Sequence, residues 1–156
     1  MKRIIYDFGA NNGDDIPYYL LKSDLVVAVE ANPLLCEFIK DRFKDQISAG
    51  NLVVENCVLS TEASSKCVDF FIHKIDHVLS QFPRPDNLDD FEKVSLPSKY
   101  VLEIIQKYGN PHYIKIDIEH YDQRWIQVRS ATRFKDCIKT SLGVLNPNLF
   151  LGRLFS

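Results

Sequence analysis

The sequence predicts an α/β domain built on a doubly wound, mostly parallel sheet. Three observations predict it. The short, almost wholly apolar runs Ile4–Phe8, Leu25–Glu30, Leu52–Glu55 and Tyr113–Asp117 read as strands covered by helices on both faces. Stretches of helical periodicity separate them at the spacing of right-handed β-α-β units. Polar and acidic residues close the apolar runs, at the carboxyl ends of strands where open parallel sheets take their ligands.

The elements follow in order. Ile4-Ile5-Tyr6-Asp7-Phe8 is a strand ending in a glycine turn, Gly9-Ala10-Asn11-Asn12-Gly13. Asp14 or Asp15 then caps a helix with Pro17 in its first turn and Tyr18-Tyr19-Leu20-Leu21 as its body. The second strand stops at Asn32-Pro33, an N-cap followed by proline at the first helical position. The next helix carries Leu35, Phe38, Ile39, Phe43 and Ile47 as one buried stripe and ends at Gly50-Asn51, before strand three. Cys67–Ile72 reads as a further strand, with antiparallel pairing as one option. From His73 to Leu96 the pattern dissolves into a polar segment, a break of the length expected for a functional or mobile loop. Phe82 and Arg84 within it suit a lid over an acceptor as well as they suit an ordinary loop. A helix is predicted from Pro97-Ser98 through Val101, Ile104 and Ile105 to Gly109, ahead of Pro111 and the Tyr113 strand.

At 156 residues, 46% hydrophobic and 26% charged, the chain can bury a full core, which excludes disordered, collagen-like and coiled-coil classes. The four cysteines form no C-x-x-C pair, so a disulfide scaffold or zinc ribbon is not expected. The N-terminus reaches Asp7 too early for a secretory signal, and no apolar run approaches the ~20 residues of a membrane span. A cytoplasmic domain without membrane contact is the expectation. Charge is uneven along the chain. Residues 1–122 hold 13 Lys/Arg against 20 Asp/Glu, whereas 123–156 hold six basic residues against Asp136 alone. The predicted organisation is therefore a ligand-binding α/β domain over 1–122 and a basic tail over 123–156, packed on the acidic body or extending it. The tail lacks the aromatic-basic interleave of nucleic-acid binders, and no nucleic-acid partner is expected.

The polar strand ends are Asp7, Glu30, Glu55-Asn56, and Asp117 with Glu119, expected to converge on one edge. Carboxylates crowded together raise one another's pKa, so a partner carrying donors or positive charge is expected among them. The turn has G-x-x-x-G spacing, without the G-x-G-x-x-G pyrophosphate fingerprint or a P-loop lysine, and an acid precedes it. That suits an ammonium better than phosphates. Glu30 ends strand two, where an acid accepts both ribose hydroxyls. An amino-acid head group at the turn, a ribose at Glu30 and an adenine beyond strand three describe S-adenosylmethionine.

Asp7-Phe8-Gly9-Ala10-Asn11-Asn12-Gly13, Val29-Glu30-Ala31-Asn32-Pro33 and Tyr113-Ile114-Lys115-Ile116-Asp117-Ile118-Glu119 resemble, in order, the motifs of the FkbM-type methyltransferases, over about Ile4 to Asp122. The resemblance implies a Rossmann-like, class I methyltransferase-like fold, S-adenosylmethionine as cofactor, and methylation of a hydroxyl on a small molecule or glycan. By the same resemblance Asp7, Gly9, Ala10, Asn11 and Gly13 bind the methionine part. Glu30 holds the ribose, with Ala31 and Asn32 flanking it. Asn56, Cys57 and Val58 meet the adenine, and Asp117 and Glu119 lie beside the transferable methyl. His120 stands where the family usually has glycine. The family's strand-rich continuation is replaced by the basic tail, in which Val144-Leu145 is one plausible strand. Either the sheet is shortened there or the family's C-terminal half lies outside this chain. An open sheet edge would favour a homo-oligomer.

For the chemistry, Asp117 is the first candidate base for a hydroxyl acceptor, with Glu119 on the same strand face and His120 as alternatives. Holding the cofactor's ammonium beside Asp7 is an equal alternative role for Asp117. Asp117, Glu119 and His120 also offer ligands for a divalent metal, although strand-end carboxylates more often bond helix N-termini, and no metal site is assigned. Cys36 and Cys67 read as small apolar groups. Two other function classes stay open: a non-catalytic S-adenosylmethionine- or nucleotide-binding module without an acceptor half, and an NAD-linked enzyme using Glu30 for ribose.

Overall fold

A computed structural model describes residues 2–60, 67–76, 80 and 84–118, and the backbone of 138–140. The first half comprises β1 (Ile4–Phe8), α1 (Ile16–Leu20), β2 (Leu25–Glu30), α2 (Pro33–Arg42), α3 (Lys44–Ser48) and β3 (Leu52–Asn56). The second comprises β4 (Val58–Ser60), β5 (Cys67–His73), β6 (Phe91–Tyr100), α4 (Val101–Tyr108), β7 (Tyr113–Ile116) and β8 (Ile138–Thr140). Five strands form a parallel sheet in the order β3-β2-β1-β7-β8. A three-stranded sheet, β4-β6-β5, pairs β5 antiparallel and β4 parallel to β6.

Side-chain alternation along the parallel strands builds two cores. Ile4, Tyr6 and Phe8 of β1, with Leu25, Val27 and Val29 of β2, face α4, where Val101, Ile104 and Ile105 close the cluster. Ile5 of β1 and Val26 and Ala28 of β2 face α1 and α2, packed by Ile16, Tyr19, Ile39 and Phe43. All five β1 residues are buried, as a central strand covered on both faces requires. The Tyr6 hydroxyl donates to the Gly109 carbonyl at 2.6 Å, so the one polar atom on that strand's α4 face is satisfied where α4 ends.

The strands predicted over 4–8, 25–30, 52–55, 67–72 and 113–117 and the Asn32-Pro33 helix start are where the sequence puts them, to within a residue. Asn32 Oδ1 accepts the Leu34 N–H at 3.0 Å. Several expectations change. Asp15 takes the cap position of α1 without a side-chain cap bond. The second helix breaks at Phe43 into α2 and α3, and its buried stripe is Cys36, Ile39 and Phe43, while Phe38 stands in solvent. The segment predicted to dissolve into a loop contains β6, and the last helix begins at Val101 rather than Pro97. Val94, Leu96 and Ser98 point inward and Lys93, Ser95 and Pro97 outward, a period of two that overrides the helix-start signal of Pro-Ser. Pro97 fits a strand here because it pairs only with Cys67 of β5; pairing with β4 begins at Ser98. β8 was not expected; it adds the tail's residues 138–140 to the sheet beside β7. The candidate residues Glu119 and His120, Phe82 of the lid, and Val144-Leu145 lie outside the described residues. No described helix is long and apolar enough to cross a membrane.

Candidate functional site

The glycine turn closes β1 with left-handed backbone at Gly9 (φ 84°), Asn11 (φ 50°) and Gly13 (φ 77°). What approaches the glycines is the chain itself. A Cβ on Gly9 would lie 2.0 Å from the Asp117 carbonyl oxygen, and one on Gly13 would crowd Ile16, Ile39 and Phe43 at 3.0–3.2 Å. Gly9 thus lets the chain leaving β7 pass against the turn, held by the Asp117 N–H donating to the Phe8 carbonyl at 2.9 Å. Four of the turn's five backbone donors are spent inside the protein. Gly9 and Ala10 N–H both go to the Val29 carbonyl (2.9 and 3.1 Å), Gly13 N–H to the Ala10 carbonyl (2.9 Å), and Asn11 N–H to Glu30 Oε2 (2.8 Å). A phosphate cradle needs such N–H groups pointing outward. This turn directs them inward.

Glu30, at the carboxyl end of β2, is the hub of the rim. Its Oε2 accepts from Asn11 of the first turn and its Oε1 from the N–H of Asn32 at 2.8 Å. One carboxylate therefore ties together the loops after β1 and β2. Burial pushes its pKa up, opposed by the N–H groups of Asn32, Asn11 and Ala31. Each oxygen accepts one bond in the protein and keeps a second lone pair. Asn56 spends Nδ2 on the carbonyls of Glu30 (3.0 Å) and Ala31 (2.8 Å), fixing the same loop from β3. Asn32 Nδ2 is buried with no hydrogen-bond partner among the described residues.

Asp7 lies one step deeper, fully buried on the α1 side of β1, with neither carboxylate oxygen hydrogen-bonded among the described residues. Burial pushes its pKa up to about 7, against the pull of the Lys115 ammonium. Lys115 sits opposite it in the β1–β7 register. Its Nζ is 3.0 Å from Asp15, 3.5 Å from Asp7 and 3.7 Å from Asp117. Asp15 and Asp117 are the exposed carboxylates of this group, at 57% and 42% of the side chain, and Asp117 is the one that follows the carboxyl end of β7.

The structure thus brings Asp7, Gly9, Ala10, Asn11, Gly13, Glu30, Ala31, Asn32, Asn56 and Asp117 to one end of the sheet. It separates Glu55 from them. Residues 52, 54 and 56 of β3 share the α1/α2 face, whereas Glu55 points to the α4 face. There it accepts from Lys99 at 2.5 Å, Lys107 at 2.8 Å and the Tyr108 hydroxyl. Burial alone would raise the Glu55 carboxyl, but these hydrogen bonds outweigh it and bring the pKa down to about 2. It lines a separate hollow of about 380 Å³ with Ser98, Lys99 and Lys107. The expected convergence of all the acidic strand ends is corrected by this one residue. Cys57 is buried in the α4-side core and Val58 in a small cluster with Phe70, Ile72 and Leu96, so the backbone is what that segment can offer a ligand. The Cys36 and Cys57 thiols are both pushed up to about 12 by burial and are no nucleophiles. Lys115 is the residue that sequence reasoning passed over. Its signal was a lone lysine inside an apolar strand, two residues before Asp117.

No protein-family model matches the chain, and no curated protein matches it in sequence. Among solved structures, the crystal structure of methyltransferase FkbM from Methylobacillus flagellatus KT is similar to it, with a TM-score of 0.53 and 15% identity. The match covers 89% of this chain and 32% of that protein, so the chain spans about a third of that protein's length. Likeness at this identity is likeness of fold. The chain has a methyltransferase-like α/β architecture.

Proposed function

We propose that the chain binds S-adenosylmethionine along the rim formed by the glycine turn, Glu30 and Asp117, and serves methyl transfer to a hydroxyl of a small molecule or glycan. The observation that carries this reading is Glu30. It is a carboxylate at the end of β2, clamped by two backbone N–H groups from different loops and still able to accept from the two hydroxyls of a ribose. The inward-turned donors of the glycine turn favour a cationic amino-acid head group over a pyrophosphate, and so speak against NAD. The likeness in fold to methyltransferase FkbM points the same way.

The bound cofactor would supply a methyl group activated by its sulfonium. The chain's own part is alignment, which accounts for much of the acceleration in an in-line displacement. Glu30 would fix the ribose end, with the loop at Ala31–Asn32 held by Asn56. Asp117 would meet the reacting end, accepting hydrogen bonds from the cofactor's ammonium or the proton of the acceptor hydroxyl. Glu119 and His120 belong to the same proposal as further candidates for proton transfer. Among the described residues no group of three His, Cys, Asp or Glu side chains is placed to hold a metal ion, and no step is assigned to one.

Calorimetry with S-adenosylhomocysteine tests the reading. Saturable binding is expected, weakened by Glu30→Gln about 5- to 100-fold, the worth of one or two hydrogen bonds. A folded chain that ignores millimolar ligand sinks the proposal. Binding without methyl transfer to any acceptor in a substrate extract selects the non-catalytic module instead.

A further inference from the structure

We propose that Lys115 is a positioning residue: its ammonium is a built-in counter-ion for the buried Asp7 carboxylate, and its grip on Asp117 sets how available that carboxylate is to the cofactor's ammonium. This deepens the S-adenosylmethionine reading and rests on it for the second half only. The geometry carries the argument. Both Asp7 oxygens are buried and, among the described residues, without hydrogen bonds, so an incoming ligand does not reach them. The one cation within 4 Å of Asp7 among the described residues is Lys115, and that same Nζ lies within 4 Å of Asp15 and Asp117. A single ammonium therefore stands between one hidden carboxylate and two open ones, of which Asp117 is the one at a strand end. Asp7 reaches the ligand site through Lys115, not by touching the ligand.

The groups facing Asp7 come from every element around it. β7 contributes Lys115 and Tyr113, α1 and its cap contribute Tyr19 and Asp15, β2 contributes Glu30, and Asp117 follows β7. Lys115 is the sole cation in this set. When Asp7 is charged, the ammonium is shared three ways. When Asp7 takes a proton, Lys115 is left to Asp15 and Asp117, and Asp117 is more fully engaged within the protein. The site should thus hold an ammonium-bearing ligand more tightly above the Asp7 transition, which burial places at about pH 7, than below it.

Two measurements on the full chain test this. The first needs no ligand: a carbon-13 carboxyl NMR titration of Asp7 in the wild type and in Lys115→Met. Removing a cation this close is expected to raise the Asp7 midpoint by about one to three pH units, and Lys115→Arg is expected to restore it. The second is the dissociation constant for S-adenosylhomocysteine between pH 6 and pH 8. Wild type is expected to bind about 3- to 10-fold more weakly at pH 6, and Lys115→Met to flatten that profile. An Asp7 midpoint that ignores Lys115→Met overturns the counter-ion role. A pH profile that persists unchanged in Lys115→Met overturns the coupling to the ligand. If wild type binds no ligand at any pH, the proposed function fails while the titration still decides the counter-ion. Should Lys115→Met not fold, Asp7→Asn/Lys115→Met removes both charges; its recovery of folding supports the pairing, and its failure with Lys115→Arg intact assigns Lys115 to packing instead.

Discussion

Gly9 shows how one residue serves both the sheet and the rim. Its positive φ turns the chain at the end of β1, and its missing side chain admits the Asp117 carbonyl. In Gly9→Ala the methyl would meet that oxygen at 2.0 Å, against backbone that cannot swing aside as a flexible side chain would. The variant is expected to lose at least about 2–4 kcal/mol in urea unfolding, by steric conflict plus left-handed strain. Any fraction that folds should do so with Asp117 displaced, and so with weakened ligand binding. Wild-type stability in that variant would mean that the approach is not what it is here. The sequence marks Gly9 as a turn residue, and the family resemblance sets a ligand beside it, not the Asp117 carbonyl. The identity of the approaching group depends on β7 lying beside β1, a non-local pairing that no local pattern encodes.

Among the elements, β3 is the most instructive, because its acid faces the opposite way from the rest. Glu55 joins β3 to α4 and β6 through Lys107, Tyr108 and Lys99. Its pKa in the fold lies below the ordinary value, so its contribution is present above about pH 4.5 and is lost as pH falls through about 2. Glu55→Gln should cost about 1–3 kcal/mol at pH 7, discounted for the solvated lysines, and the gap between variant and wild type should close as pH drops through that window. A gap that stays constant down to pH 2 would remove the ionic account. The strand itself was legible from its apolar run, and so was the period of two that turns Glu55 away from Asn56. Grouping every acidic strand end by position alone missed it. β6 was missed for a different reason. Its alternation is carried by Val94, Leu96 and Ser98 amid polar residues, and it becomes clear only once β5 is beside it. Lys115 escaped notice because a lysine in an apolar strand carries no local signal of three carboxylates gathered from β1, α1 and the end of β7.

At the scale of the whole molecule, the order β3-β2-β1-β7-β8 puts β1 at the centre between β2 and β7, and β4-β6-β5 form a separate sheet. Every β1 residue is buried, whereas Cys67, Val68 and Asp69 of β5 are exposed or half-exposed. Amide exchange is therefore expected to be slowest in Ile4–Phe8 and Val26–Val29, opening only with global unfolding, and faster in Cys67–Asp69. Equal protection of the two regions would mean that the small sheet opens only with the core. The parallel sheet was readable in advance because four apolar strands and the helices between them repeat one pattern. The limits of the resemblance are physical as well. The likeness to methyltransferase FkbM is one of architecture: it concerns the course of the chain, and at 15% identity most side chains differ.

The pairing of Asp7 with Lys115 also bears on how the chain finds its alignment. Had β7 docked against β1 one residue out of step, the lysine would be thrust among Tyr6, Phe8 and Ile104 in the oily layer beneath α4, with no carboxylate to meet it. A charge in the wrong layer is far more costly than a misplaced methyl group, so the two ionised side chains act as a key that rejects the slipped assembly.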